Sequence, residues 1–113
     1  MFQVEDPLKR LVILTKKTWN VHIIPYHTEV YRQEAFIKRV IENPAYILRD
    51  RDNEDKENYF ELCNLPNDGS LSIIKIVVDF KSGTGDVNTA YSNKSLFTQA
   101  TTGRGVIYVR DSK

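Results

Sequence analysis

At 113 residues, 41% hydrophobic and 27% charged, the chain excludes a disordered tail and fits one domain with one core. Sixteen Lys and Arg against fifteen Asp and Glu leave a net charge of +1, which excludes a global basic field, so any polyanion contact must come from a local patch. A single cysteine, Cys63, excludes an intramolecular disulfide framework, and no apolar run is long enough to span a bilayer as a helix.

The first apolar run, Arg10 to Thr15, reads as a short strand or a buried helical turn, and is taken as a strand. Trp19, Val21, Ile23 and Ile24 follow, ending at Pro25, which disfavours helical geometry in the residue before it; a helix is expected only after Pro25. From Thr28 to Glu42 the apolar residues Val30, Ile37, Val40 and Ile41 recur at helical spacing, with Thr28 as N-cap, Glu29 and Glu34 at the positive end and Pro44 enforcing the stop.

Tyr46 to Leu48 begins a strand, the charge-dense Arg49 to Asn58 is expected as an exposed turn, and Tyr59 to Cys63 is the return strand. Pro66-Asn67-Asp68-Gly69 signals a turn into Leu71 to Phe80, the longest β-type run and the expected central strand. After the turn Ser82 to Gly85, the stretch Asp86 to Ser92 alternates so that Val87, Thr89 and Tyr91 share a face; Val106 to Val109 is the last strand. The expected fold is α+β, with an antiparallel sheet of about four or five strands and one main N-terminal helix packed on one face. The lack of a membrane-spanning run or a secretory leader points to a cytoplasmic protein.

His22 and His27 are the only histidines. Five residues apart with Pro25 between them and no cysteine cluster nearby, they do not have the spacing of a zinc site, and neither a metal nor another cofactor is expected. An imidazole titrates near neutrality, so either can serve proton transfer. His27, at the helix entrance, is the better placed; His22 lies on an apolar segment and reads as a core histidine or, at most, a substrate contact. Lys75 interrupts the row Leu71, Ile73, Val77 and Asp79 on one strand face, as a solvated residue or as a charge aimed into a cleft. Thr89 and Tyr91 put two hydroxyls on one face, suited to holding a phosphate or a base, although both are also good strand formers. The acidic residues gather between Asp50 and Glu57, leaving the C-terminal segment with Lys94, Arg104, Arg110 and Lys113 comparatively basic; Gly103-Arg104-Gly105 reads equally as a plain turn or as a tip from which Arg104 can reach a phosphate with its planar fork.

Three segments, in this order and spacing, resemble the phage-associated branch of the barnase/EndoU/colicin/RelE-like (BECR) nuclease superfamily. They are Trp19 to Ile23 running to His27-Thr28-Glu29; Ile37 to Ile41 closing with Glu42-Asn43-Pro44-Ala45-Tyr46-Ile47; and Ile76 to Val78 followed by Val87 to Tyr91. Gly105 to Tyr108 resembles the family's closing strand, while Thr28 stands where the family often has proline. The resemblance implies a curved antiparallel sheet whose open face receives RNA, tRNA among the candidates, and metal-independent cleavage through attack by a ribose 2′-hydroxyl. His27 would be the acid or base, Thr89 and Tyr91 the phosphate-holding or second proton-transfer groups, and Lys75 or Arg104 the charge stabiliser, with His22, Arg104 and Arg110 contacting substrate. It also implies a toxin-like protein whose partner is a cognate antitoxin or immunity protein. The alternative is a non-catalytic RNA- or protein-binding module on the same scaffold.

Overall fold

The structure, a computed structural model, describes residues 1–63, 72–93 and 105–111. Strands β1 (Phe2–Glu5), β2 (Leu11–Leu14), β3 (Tyr46–Arg49), β4 (Lys56–Cys63), β5 (Ser72–Asp79), β6 (Gly85–Asn93) and β7 (Val106–Val109) accompany one α-helix, α1 (Glu34–Glu42). Among the described residues, the seven strands form one mixed sheet in the order β1-β2-β6-β5-β4-β3-β7, curled into a half-barrel. The turn expected at Pro66 to Gly69 and the start of the central strand at Leu71 lie outside the described residues.

The expected antiparallel sheet of four or five strands with a main helix is therefore corrected. The chain is mostly sheet. Phe2 to Glu5 adds a strand that sequence reading left unassigned, paired in full with β2 from Phe2↔Leu14 to Glu5↔Leu11. The sheet is mixed because β2 joins β6 in parallel, through Val12↔Gly85 and Ile13↔Asp86. At that junction the strands approach too closely for a side chain: a Cβ on Gly85 would lie 2.9 Å from Val78 and Phe80 and 3.0 Å from Val12. Register shifts at Ile47/Leu48 and at Val77/Val78 add local twist, which favours curling.

The helix is shorter than the Thr28 to Glu42 span read from spacing. Thr28–Val30 forms a separate 3₁₀ turn, Arg32 sits in the left-handed region at φ 65°, and α1 begins at Glu34 with no side-chain cap on its first turn. Thr28 is thus not the cap of α1. The reason is tertiary: residues 27–30 are fastened to β6, whereas α1 packs on β1 and β4, and the chain must change direction between them. Upstream, Thr18–Ile23 forms a π-helical segment and Ile24 is helical at φ −57°, ψ −42°, against the expectation that no helix precedes Pro25. Burial of Trp19 and Ile23 on successive turns outweighs the pre-proline preference.

Both faces of the sheet are buried along its middle. Ile74, Ile76 and Val78 of β5 enter the core with Ile37, Val40 and Ile41 of α1, Tyr59 of β4, Val12 and Leu14 of β2, and Trp19. The pairings place Asn58, Phe60, Lys75 and Val77 on the opposite face, and these too are buried. A strand covered on both sides reads as a continuous apolar run, which is why β5 was recognisable as central. Asn58, expected in an exposed turn, is instead buried within β4, because β4 starts at Lys56 and carries it onto that second face.

A polar clasp closes the curl. The Asp6 carboxylate accepts the Leu8 and Arg10 backbone N–H groups at 3.0 and 2.9 Å, Arg10 Nε at 3.0 Å and the Tyr59 hydroxyl at 2.6 Å. Arg10 donates to both oxygens of Glu57, at 3.0 and 2.7 Å, and its guanidinium lies 4.2 Å from the centre of the Phe80 ring. Burial, then the Asp6 hydrogen bond, pushes the Tyr59 hydroxyl far above its ordinary value near 10. The neutral phenol is the form that the fold retains, so its contribution is complete below pH about 10 and is lost as pH rises further. Tyr59→Phe is expected to cost about 1–3 kcal/mol at pH 7 by stripping Asp6 of a donor. It should also flatten the alkaline loss of stability that urea titrations of the wild type show above pH about 10; an unchanged alkaline slope would contradict this account.

Candidate functional site

The site follows from the way β6 leaves its neighbour. Among the described residues, β2 pairs with β6 at Gly85 and Asp86, and the segment after β2 packs on β6 through the π-helical and 3₁₀ turns. His27 lies between those turns, its N–H donating to Ile23 O at 2.8 Å. Its half-buried ring stacks on Tyr91 of β6, with ring centres 4.9 Å apart and planes at 22°.

Tyr91 stands opposite Lys75 in the β5–β6 ladder, and Thr89 opposite Val77, so these side chains share one sheet face. Lys75 Nζ lies 5.6 Å from the centre of the Tyr91 ring, within cation–π range. Lys75 is 8% exposed, so it is not a solvated residue. Thr89 Oγ1 is buried without a hydrogen-bond partner, as is Asn58 Oδ1 on the same row, Leu48–Asn58–Val77–Thr89. Two unsatisfied oxygens on one row are a chemical demand for donors, since burying such an atom unpaired costs about 1–3 kcal/mol. Sequence reading passed over Asn58 because it stands at the end of a charged run.

The other expected site residues lie elsewhere. His22 is exposed on the π-helical segment and is not a core histidine. Arg110 donates to Asn43 O at 3.0 Å and to the Glu61 carboxylate, whose hydrogen bond raises the guanidinium pKa. Glu61 pairs with Ile74, on the face where α1 packs, so Arg110 belongs to a groove of about 400 Å³ with Phe36, Arg39 and Glu42, on the opposite side of the sheet from Lys75 and Tyr91. It is not part of the His27 constellation. Arg104, with Lys94 and Lys113, lies outside the described residues.

Two features near His27 were not legible beforehand. Glu29 Oε2 accepts the Ser92 backbone N–H at 3.0 Å and lies 3.4 Å from its hydroxyl. Tyr26 and Tyr31 are 75% and 50% exposed, and the Arg32 guanidinium lies 5.3 Å from the Tyr31 ring centre, so the loop beside His27 presents aromatic faces to solvent. The pairing of Tyr with Arg and the exposed Tyr-His step are signals a reader of the sequence has available, but only after the loop is known to face outward.

Cys63 is buried, 3.4 Å from the Ser72 hydroxyl. Among the described residues no helix is long and apolar enough to cross a membrane, and no three His, Cys, Asp or Glu side chains gather as a metal would require. Compared with models of known families, with curated proteins and with solved structures, the chain has no match.

The stack has a direct chemical consequence. Diethyl pyrocarbonate should acylate exposed His22 faster than His27 in the wild type, and Tyr91→Leu should bring the two rates together; peptide mass spectrometry reads both sites in one sample. Equal rates in the wild type would count against the ring pair.

Proposed function

We propose that the protein is a ribonuclease of toxin-like type that cleaves RNA by attack of a ribose 2′-hydroxyl on the adjacent phosphate. The observation that carries this reading is the half-buried His27 imidazole stacked on Tyr91, beside Lys75 and on the face that also holds Thr89. The reaction needs a base to take the 2′-hydroxyl proton, an acid to protonate the departing 5′-oxygen, and positive or hydrogen-bonding groups for the charge on the phosphoryl oxygens. It leaves a 2′,3′-cyclic phosphate and a free 5′-hydroxyl.

His27 takes the proton-transfer role because it is the one imidazole that meets the sheet face, the Lys75 ammonium supplies charge, and the Thr89 hydroxyl supplies a donor for a phosphoryl oxygen. Tyr91 keeps the imidazole oriented and is the second candidate for proton transfer. The exposed Tyr26 and the Tyr31–Arg32 pair give bases flanking the cleaved bond surfaces on which to stack. An antitoxin or immunity protein that covers this loop is the partner such an activity calls for.

The same exposed aromatics favour a second reading, a module that binds RNA or protein without cleaving it. Incubation with total tRNA in the presence of a chelator separates the two. Cleavage is expected, with a rate reduced on the order of a hundredfold in His27→Ala. RNA bound but left intact by both proteins would favour the binding module, and cleavage abolished by the chelator would overturn the metal-independent mechanism.

A further inference from the structure

Among the described residues, no strand pairs the outer edge of β6 after β2 departs at Asp86. Ser92 stands opposite Ile74 of β5, and its N–H is taken not by a neighbouring strand but by Glu29 Oε2. The carboxylate thus substitutes for a strand carbonyl, in a charge-assisted bond stronger than the neutral one it replaces. Its two ends are informative: Glu29 is two residues from His27, and Ser92 is the neighbour of Tyr91. The bond therefore ties together the two backbones that carry the stacked rings.

We propose that Glu29 is a positioning residue, which holds the His27 imidazole in register with Tyr91 by fastening its loop to the edge of β6. The proposal rests on the reading of the His27–Tyr91 pair as the functional centre, but its geometry can be tested apart from any activity. Val30, fully buried, anchors the same loop from one side and the His27 N–H to Ile23 O bond anchors it from the other. Val30 shares the core with Val87 and Ala90 of β6, but of the two hydrogen bonds only that from the Ser92 N–H to Glu29 ends on β6 itself. An acceptor is what the position requires, and either a carboxylate or an amide oxygen supplies one.

Ring-current shifts provide the test. Stacking under Tyr91 displaces the ring-proton resonances of His27 upfield, with exposed His22 as the internal reference and Tyr91→Leu as the calibration for a lost stack. Glu29→Ala is expected to collapse the displacement to that of Tyr91→Leu, and Glu29→Gln is expected to retain it. Glu29→Met, which keeps the chain length and removes the acceptor, must behave like Glu29→Ala and serves if the alanine variant does not fold. A His27 resonance that stays displaced in Glu29→Ala or Glu29→Met overturns the proposal. On RNA, Glu29→Ala should lower kcat about tenfold with KM little changed, and Glu29→Gln should restore it, because a misplaced proton-transfer group affects the chemical step more than binding. If the wild type cleaves no RNA, the proposed function fails while the spectral comparison still decides the role of Glu29.

Discussion

A carboxylate with no exposed surface, that of Asp6, sets the shape of this protein. Burying a charge is tolerable only when its lone pairs are all met, and here the backbone of its own turn, Arg10 and the Tyr59 hydroxyl meet them. Two of those residues lie on the β1–β2 hairpin and the third on β4, three strands along the sheet from β2. A flat sheet would hold β2 and β4 roughly 14 Å apart, at about 4.8 Å per strand, so the contact exists only if the sheet curls. Arg10 reinforces the closure by gripping Glu57 with two bonds and lying on Phe80 at the far end of β5.

The curl has a cost that locates the site. Bringing β1 and β2 over the core draws β2 away from β6 after a two-residue parallel contact, and the remaining edge of β6 needs another cover. The stretch from Thr18 to Val30 provides it, with Trp19, Ile23 and Val30 turned into the core and His27 and Glu29 turned to β6. An edge that no strand protects is an association hazard, and covering it with an irregular segment is one of the ways by which sheets avoid it. The residues held in that cover are thereby placed against β6 side chains with little freedom to move.

What was legible in the sequence follows from the range of the interactions involved. Strands β3 to β7 announce themselves by β-branched and aromatic runs between turn residues, and the doubly buried β5 by an apolar run broken only by Lys75; that signal is local. The alternation puts Thr89 and Tyr91 on one face, as the structure has them, but not Val87: the register shift at Val77/Val78 sets Val87 opposite Val78, on the core face. His27 stands out as an imidazole at the entrance of a helical pattern. The helix, by contrast, was read too long, because periodicity between residues 28 and 42 carries no sign of the change of direction at Arg32. Asp6-Pro7 marks a turn, but nothing near it says that Tyr59 and Glu57 will arrive from about fifty positions away. Parallel pairing of β2 with β6 and the face on which Arg110 sits are of the same kind: they are set by topology, which pattern does not encode.

The second sheet face is where local rules and tertiary demand disagree most. Asn58, Lys75 and Thr89 are polar residues on rows that also hold Leu48, Phe60 and Val77, and a purely structural surface buried this deeply would be apolar throughout. Asn58 Nδ2 donates to Asp50 Oδ1 at 3.2 Å, which gives that amide a structural role, while its Oδ1 and Thr89 Oγ1 are buried without a partner. Sequences that fold well agree with their structure at every level except where function demands otherwise. On the face that His27 meets, the buried polar groups are a hydroxyl, an amide and an ammonium group; elsewhere the described residues also bury Asp6, Ser72 and one unpartnered oxygen of Glu34.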